Sequence, residues 1–254
     1  YVTMYFTDNL SVVDLAEKSR YRRVSSIALG PPPQLTVQRR GEMFFHDADL
    51  CFQHWQSCSS CHPDARVDAL NWDLMNDGMG NPKNTKNMLL SHQTPPSMAS
   101  GVRGGGEAAV RAGITHIQFA VRPDEDAVAI DEYLRALQPV PSPHLVNGKL
   151  SEAAERGKKL FFDKTIGCAT CHPEPLYTDL KMHDVGSRGQ YDRRDDFDTS
   201  TLIECWRTAP YMHDGHWVTI KELLIEGKHG AKGGDLSGLN EQQINDLVEF
   251  VLSL

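Results

Sequence analysis

Two stretches hold residue types that can act together: Cys58-Ser59-Ser60-Cys61-His62 and Cys168-Ala169-Thr170-Cys171-His172. Each sets two thiols three positions apart and an imidazole directly behind the second. Thiols at that spacing reach two vinyl groups on one edge of a porphyrin and form thioethers. The adjacent histidine can then swing its Nε2 under the ring as an iron ligand. This is the C-x-x-C-H attachment pattern of a c-type haem. A zinc site made from two C-x-x-C pairs has no use for a histidine fixed behind each pair, and a thioredoxin-like dithiol asks for one C-x-x-C after a strand. The pattern predicts two covalently bound haem c groups, with Cys58, Cys61 and His62 holding one and Cys168, Cys171 and His172 the other.

The elements that must position these motifs repeat. Arg40-Gly41-Glu42-Met43-Phe44-Phe45-His46-Asp47 matches Arg156-Gly157-Lys158-Lys159-Leu160-Phe161-Phe162-Asp163 in Arg, Gly, one Phe and Asp, and each copy precedes a C-x-x-C-H. This reads as an internal duplication of a helix followed by a haem-binding turn. The first copy carries extra residues around Leu50 to Trp55. A second helix is expected over Asp124–Leu137, where Ile130, Tyr133, Leu134 and Leu137 share a face and Asp124, Glu125 and Asp126 suit its N-terminus. Glu107 to Arg111 can open a short helix. Ser151 caps the second copy's first helix. Thr219-x-x-Glu222 and Asn240-x-x-Gln243 are capping boxes, the latter opening a terminal helix with Ile244, Leu247, Val248 and Val251 on one side. Residues 64–105 read as irregular.

The expected fold class is mainly α: two cytochrome c-like haem domains with a short N-terminal antiparallel β segment. The boundaries fall at 1–37 for the β segment, 38–138 for the first haem domain, 139–150 for a linker around Pro139-Val140-Pro141-Ser142-Pro143, and 151–254 for the second haem domain. In the β segment, Tyr1–Phe6, Leu10–Leu15 and Arg23–Leu29 are rich in β-branched and aromatic residues, with Asp8-Asn9 as a turn and Pro31-Pro32-Pro33 as a stop. This segment resembles one blade of a YVTN-type β-propeller. A single blade cannot bury its own faces, so the sheet is expected to pack on the haem domains, on a propeller or on another subunit; a generic antiparallel ribbon is the alternative.

The chain has 254 residues and a net charge of −8, which gives no reason to expect a nucleic acid or an anionic membrane surface. No apolar run is long enough to span a bilayer. Covalent haem attachment takes place outside the cytoplasm, so a periplasmic or otherwise exported protein is expected, its leader lost before Tyr1. Cys51 and Cys205 are left over: in an oxidising compartment they either pair as one disulfide or stay as two buried thiols.

Two C-x-x-C-H halves joined by a short linker resemble the bacterial diheme cytochrome c peroxidase and MauG superfamily. The most specific stretch is Arg207-Thr208-Ala209-Pro210-Tyr211-Met212-His213-Asp214-Gly215, followed by Thr219-Ile220-Lys221-Glu222-Leu223, which is similar to the family's T-x-P-Y-x-H-D-G…T-L-E-E signature. Gly80-Asn81-Pro82-Lys83-Asn84-Thr85 is similar to its G-P-x-N-[ST]-P segment. The resemblance implies a calcium ion between the haems, carried over onto Asn84, Thr208 and Pro210, whose oxygens suit that ion. It also implies a sixth ligand on the second iron. The family's Met position holds Gly227 here, and His229, flanked by glycines, is the proposed replacement, with Met212 and His213 as fallbacks. His–His ligation would give a lower potential than His–Met.

Three family features are missing. The displaceable distal His falls near Asn76 or Asp77, the Trp between the haems near Ala99, and the distal Glu near Ala120. Cleaving peroxide needs a group that moves a proton between its oxygens. His116 is the nearest titratable candidate, as a distal base over an open iron or as a ligand that closes it. His92 with Gln93 is a second candidate, and Glu107 a third. Trp55 and Trp72 flank the first motif, as an aromatic relay or as buried packing. The implied function is a diheme redox enzyme that reduces peroxide or oxidises a partner, with electrons passed between two haems. Its partner would be a small cytochrome or cupredoxin. The alternatives are a non-enzymatic bis-His electron-transfer module and a MauG-like oxidase of a partner protein.

Overall fold

The computed structural model describes residues 1–16, 18, 22–74 and 79–254; Asn76 and Asp77 lie outside them. It is mostly helical, with small antiparallel sheets. Strands β1 (Val2–Met4), β2 (Asn9–Val13) and β3 (Arg23–Ala28) form a meander in which Val2 faces Ser11 and Leu10 faces Ile27. All of β3 is exposed, and Ser11 is the buried residue of β2. The sheet therefore adds little to either core. Arg39 holds it to the helices: its guanidinium lies 3.8 Å from the Tyr5 ring centroid and donates to the Tyr5 carbonyl. A propeller blade has four strands and this sheet has three among the described residues, so the blade resemblance gains no support from the structure.

The two haem-motif halves repeat one design. The first contains α1 (Val37–His46), the short helical turn α2 (Cys58–Cys61), α3 (Gly106–Ala112) and α4 (Asp124–Ala136). The second contains α5 (Glu152–Phe161), α6 (Cys168–Cys171), α7 (Ile220–Ile225) and α8 (Glu241–Leu252). Two-residue ladders, β4 (Asn71–Trp72) with β5 (Lys83–Asn84) and β6 (Met182–His183) with β7 (Phe197–Asp198), pin the irregular loops. The caps are local chemistry. Thr36, Ser151, Thr219 and Asn240 each accept an N–H from the first turn of their helix, satisfying donors that have no partner inside it.

In each half the helix before the haem motif crosses the last helix at a glycine. A Cβ on Gly41 would stand 1.8 Å from the Ala129 carbonyl oxygen, and one on Gly157 1.9 Å from that of Asp246. The repeated glycine thus lets two backbones touch. Around the first crossing lie Phe45, Val110, Ile114, Ile130 and Leu134, and around the second Phe161, Leu223, Leu247, Phe250 and Val251. Burying Phe161 and Phe250 contributes roughly 1.5–3 kcal/mol each, and their rings meet edge-on at 5.2 Å.

Cys51 and Cys205 are both free and buried. Cys205 belongs to the second core, where its thiol donates to the Val251 carbonyl. Cys51 points its own thiol at the Phe52 carbonyl.

Candidate functional site

Each C-x-x-C-H lies at the wall of its own cavity. Cys58, Cys61 and His62 line the first, and Cys168, Cys171 and His172 the second. The turns α2 and α6 put both thiols of a motif on one helical turn. His62 Nδ1 is 3.1 Å from the Arg66 carbonyl oxygen and His172 Nδ1 is 2.9 Å from that of Tyr177. A carbonyl can only accept, so Nδ1 carries the proton and Nε2 keeps the lone pair a metal needs. Burial pushes the Cys58 thiol up to about 12 and Cys168 to about 11. Such thiols are poorly suited to be redox nucleophiles, whereas an apolar wall suits a porphyrin edge.

Across the second cavity from His172 stands His229, with ring centroids 6.3 Å apart. Two metal–nitrogen bonds of about 2 Å plus the two ring radii of roughly 1.2 Å give about 6.4 Å, the separation of two imidazoles on one metal. His229 is half-buried, its buried Nδ1 has no partner, and desolvation lowers its pKa to about 4, so the ring is neutral. Gly227, at the family's Met position, has no room for any side chain: a Cβ would meet the Leu223 carbonyl oxygen at 2.7 Å and the Trp217 indole at 2.8 Å. The fallbacks are placed differently. His213 binds Asp192 at 2.8 Å and stacks on Phe197 at 3.7 Å. Met212 also lines the cavity, in a left-handed conformation with φ of 75°.

In the first cavity His116 is an exposed wall residue on the wide turn Gly113–Ile117, where the Gln118 N–H reaches back five residues to Gly113. Such π-turns recur at functional sites. His92 and Gln93 are absent from the described lining of this cavity. His92 instead binds Asp131 at 2.9 Å, and Asp131 also accepts from Arg111 at 2.7 Å. That histidine is a buried structural partner. Glu107, expected as a catalytic group, is half-exposed and pairs with Arg135. Trp72 lines the cavity and donates to Asp68 but is 39% exposed, and Trp55 is 65% exposed, which corrects the expected burial of both.

Sequence reasoning missed Gln118. It is buried in the wall of the first cavity, its Nε2 is 3.1 Å from Cys58 Sγ, and its Oε1 has no partner. Only its position two residues before Ala120 signalled it.

Residues 84–87 with Thr94 and Ala99 face both cavities and form the wall between them. The position that the family resemblance gives to an aromatic residue is thus Ala99, in the wall between the two cavities. Lys83 and Lys86 stand at this wall, paired with Asp192 and Asp198. The three expected calcium residues also meet here. The Asn84 amide contacts the Pro210 carbonyl, its Oδ1 is buried without a partner, and Asn84, Thr208 and Pro210 all line the second cavity. Among the described residues no group of three or more His, Cys, Asp or Glu side chains is placed to hold a metal.

Solved diheme peroxidase-like proteins share this fold. The diheme peroxidase BthA from Burkholderia thailandensis superposes with a TM-score of 0.65 at 14% identity, over 89% of this chain and 87% of that one. Its homologues by sequence include the hydrazine synthase gamma subunit of Kuenenia stuttgartiensis, 28% identical over 88% of this chain and 79% of the relative, and the methylamine utilization protein MauG of Methylorubrum extorquens, 26% identical over 98% and 87%. A chain of Kuenenia stuttgartiensis hydrazine synthase shares the fold with a TM-score of 0.79 at 24% identity, over 92% of this chain and 99% of that one. No family model matches the chain. Among the described residues no helix is long and apolar enough to cross a membrane.

Proposed function

We propose that this chain is a periplasmic or otherwise exported diheme c-type oxidoreductase. Haem c would be held through Cys58, Cys61 and His62 in the first centre and through Cys168, Cys171 and His172 in the second. The observation that carries this reading is the pair of cavities, each with two thiols on one helical turn and a histidine whose Nδ1 is committed to a carbonyl. His229 would hold the second iron together with His172, and the 6.3 Å spacing of their rings supports that. Bound in these cavities, the iron supplies the one-electron chemistry. The protein supplies ligation, burial and position. Its apolar walls would exclude water, Ala99 and residues 84–87 separate the two cavities, and Lys83 and Lys86 at that wall are held by Asp192 and Asp198. The neutral amide of Gln118 and the ring of His116 line the same cavity as His62.

A calcium ion at Asn84, Thr208 and Pro210 belongs to the same proposal. Rotating the Asn84 amide would bring its oxygen beside the Pro210 carbonyl, an oxygen pair suited to that cation.

The first centre would be the site of substrate chemistry and the second an electron store. Gln118 cannot carry a proton between peroxide oxygens as a carboxylate does, and Glu107 lies outside the cavity. This favours a second reading alongside peroxide reduction: the first centre handles a small nitrogenous molecule, within a larger assembly. The likeness to a hydrazine synthase gamma subunit supports it. The alternative without a substrate is a pure electron relay. Ferric EPR of the haem-loaded protein, followed by optical titration with hydrogen peroxide and with hydroxylamine, tests these readings. A high-spin first centre that reacts with either molecule is expected. Two low-spin centres inert to both would leave only the relay.

A further inference from the structure

The His62 loop is locked to the opposite half of the molecule. Arg66, whose carbonyl receives His62 Nδ1, sends its guanidinium to Glu204: Nε to Oε2 at 2.8 Å and NH2 to Oε1 at 2.8 Å. The side chains are 7% and 0% exposed. Arg66 also donates to the carbonyls of Asp64 and Gln138, and Glu204 accepts the Val140 N–H. The Glu204 N–H donates to the Leu254 carbonyl, and Cys205, next in the chain, lines the second cavity. Between His62 and Arg66 the chain passes through Asp64 and Ala65, both left-handed at φ 51° and 57°. Non-glycine residues keep that conformation only where their surroundings impose it.

The second centre is built differently. There the carbonyl that receives His172 Nδ1 belongs to Tyr177, whose ring packs on Phe161 at 6.0 Å and Phe250 at 6.4 Å. Its anchor is its own core. The first centre's anchor is a carboxylate beyond the linker.

We propose that Arg66 and Glu204 are positioning residues for the first centre, through which the second half of the molecule sets the orientation and hydrogen bonding of His62. The proposal rests on the reading that His62 ligates haem iron. A histidine whose Nδ1–H is firmly bound by a carbonyl is a more basic ligand and favours the ferric state. Loosening the Arg66 carbonyl should therefore raise the first centre's potential and leave the second unmoved.

The test uses the full haem-loaded chain carrying Arg66→Met together with Glu204→Leu. This exchange removes one charge of each sign, so the net charge is unchanged, and well-packed apolar replacements of buried pairs are commonly tolerated. Arg66→Lys, which keeps the charge but loses the fork, is the companion variant. Spectroelectrochemistry is expected to show a positive shift of one potential in both variants, with the other matching the unsubstituted protein; His229→Met identifies which potential belongs to the second centre. Haem-loaded, folded variants with two unshifted potentials, or with both shifted equally, would overturn the proposal. Absence of a thioether adduct at Cys58 and Cys61 in the unsubstituted protein would instead remove the functional reading beneath it.

Discussion

His172 and His229 face each other with ring centroids 6.3 Å apart, across a cavity that also holds Cys168 and Cys171. A pair of imidazoles on one iron favours the ferric state more than an imidazole with a thioether does. His229→Met should therefore raise the second centre's potential, and His229→Ala should convert that centre from low to high spin. Redox titration and EPR of the two variants check this. An unchanged spectrum in His229→Ala would remove His229 from the coordination sphere.

The glycine crossings make a packing prediction. With a Cβ placed 1.9 Å from the Asp246 carbonyl oxygen, Gly157→Ala must part α5 from α8. Overpacking of this sort costs about 1–3 kcal/mol and occasionally more. At this size the melting temperature falls roughly 2–4 °C per kcal/mol. Gly41→Ala should act alike at the Ala129 carbonyl, and calorimetry would show both.

These crossings also show how far the sequence could be read. The repeat Arg-Gly-…-Phe-…-Asp located α1 and α5, and the caps at Ser151, Thr219 and Asn240 located three helix starts, because those signals are local. The partner of Gly41 was not legible, since a carbonyl more than eighty positions away leaves no pattern. The glycine neighbours and the missing Met pointed to His229, which lines the second cavity, while Trp217 filling the space at Gly227 left no signal. His92 and Glu107 misled for one reason: a titratable side chain near the right position says nothing about which neighbour claims it, here Asp131 and Arg135. Gln118 was overlooked because an amide does not titrate.

Acid should weaken the junction between the halves. Burial alone would raise the Glu204 carboxyl, but the Arg66 guanidinium and the Val140 N–H outweigh it and hold its pKa below the ordinary value. A carboxylate depressed in the folded state contributes stability that is fully present above the unfolded value of about 4.3 and is lost as pH falls through the folded value. Thermal stability should therefore drop with acidification below that point, and Glu204→Gln should flatten the drop while lowering stability at neutral pH. Melting curves from pH 3 to 7 would reveal both effects. An acid limb of equal steepness in the variant would assign the loss to other carboxylates.

Gln118 offers a gain-of-function test. Its side chain already lies in the wall of the first cavity, with an unpartnered Oε1. Gln118→Glu keeps the shape and adds the proton-carrying group that peroxide cleavage needs. Positioned general acids and bases contribute on the order of 10²–10⁴ in rate, so even imperfect placement should speed the reaction with hydrogen peroxide roughly tenfold or more. Stopped-flow mixing measures it. No acceleration would mean that the side chain at position 118 does not reach the reacting oxygen.

The cysteines give a chemical count of the whole arrangement. No two of the six are joined in a disulfide, and thioether formation would consume Cys58, Cys61, Cys168 and Cys171. Cys51 and Cys205 then remain, each buried in its surroundings, and burial raises the Cys205 thiol to about 12. A thiol so far from its thiolate form reacts poorly, so the native haem-loaded protein should resist alkylation at Cys205. After denaturation without reductant, mass spectrometry should find two alkylated sites, Cys51 and Cys205, and two macrocycle adducts on the same chain. No alkylation at all would mean that these two thiols pair after unfolding or in the cell. Six alkylated sites and no adducts would show that neither C-x-x-C-H carries a haem.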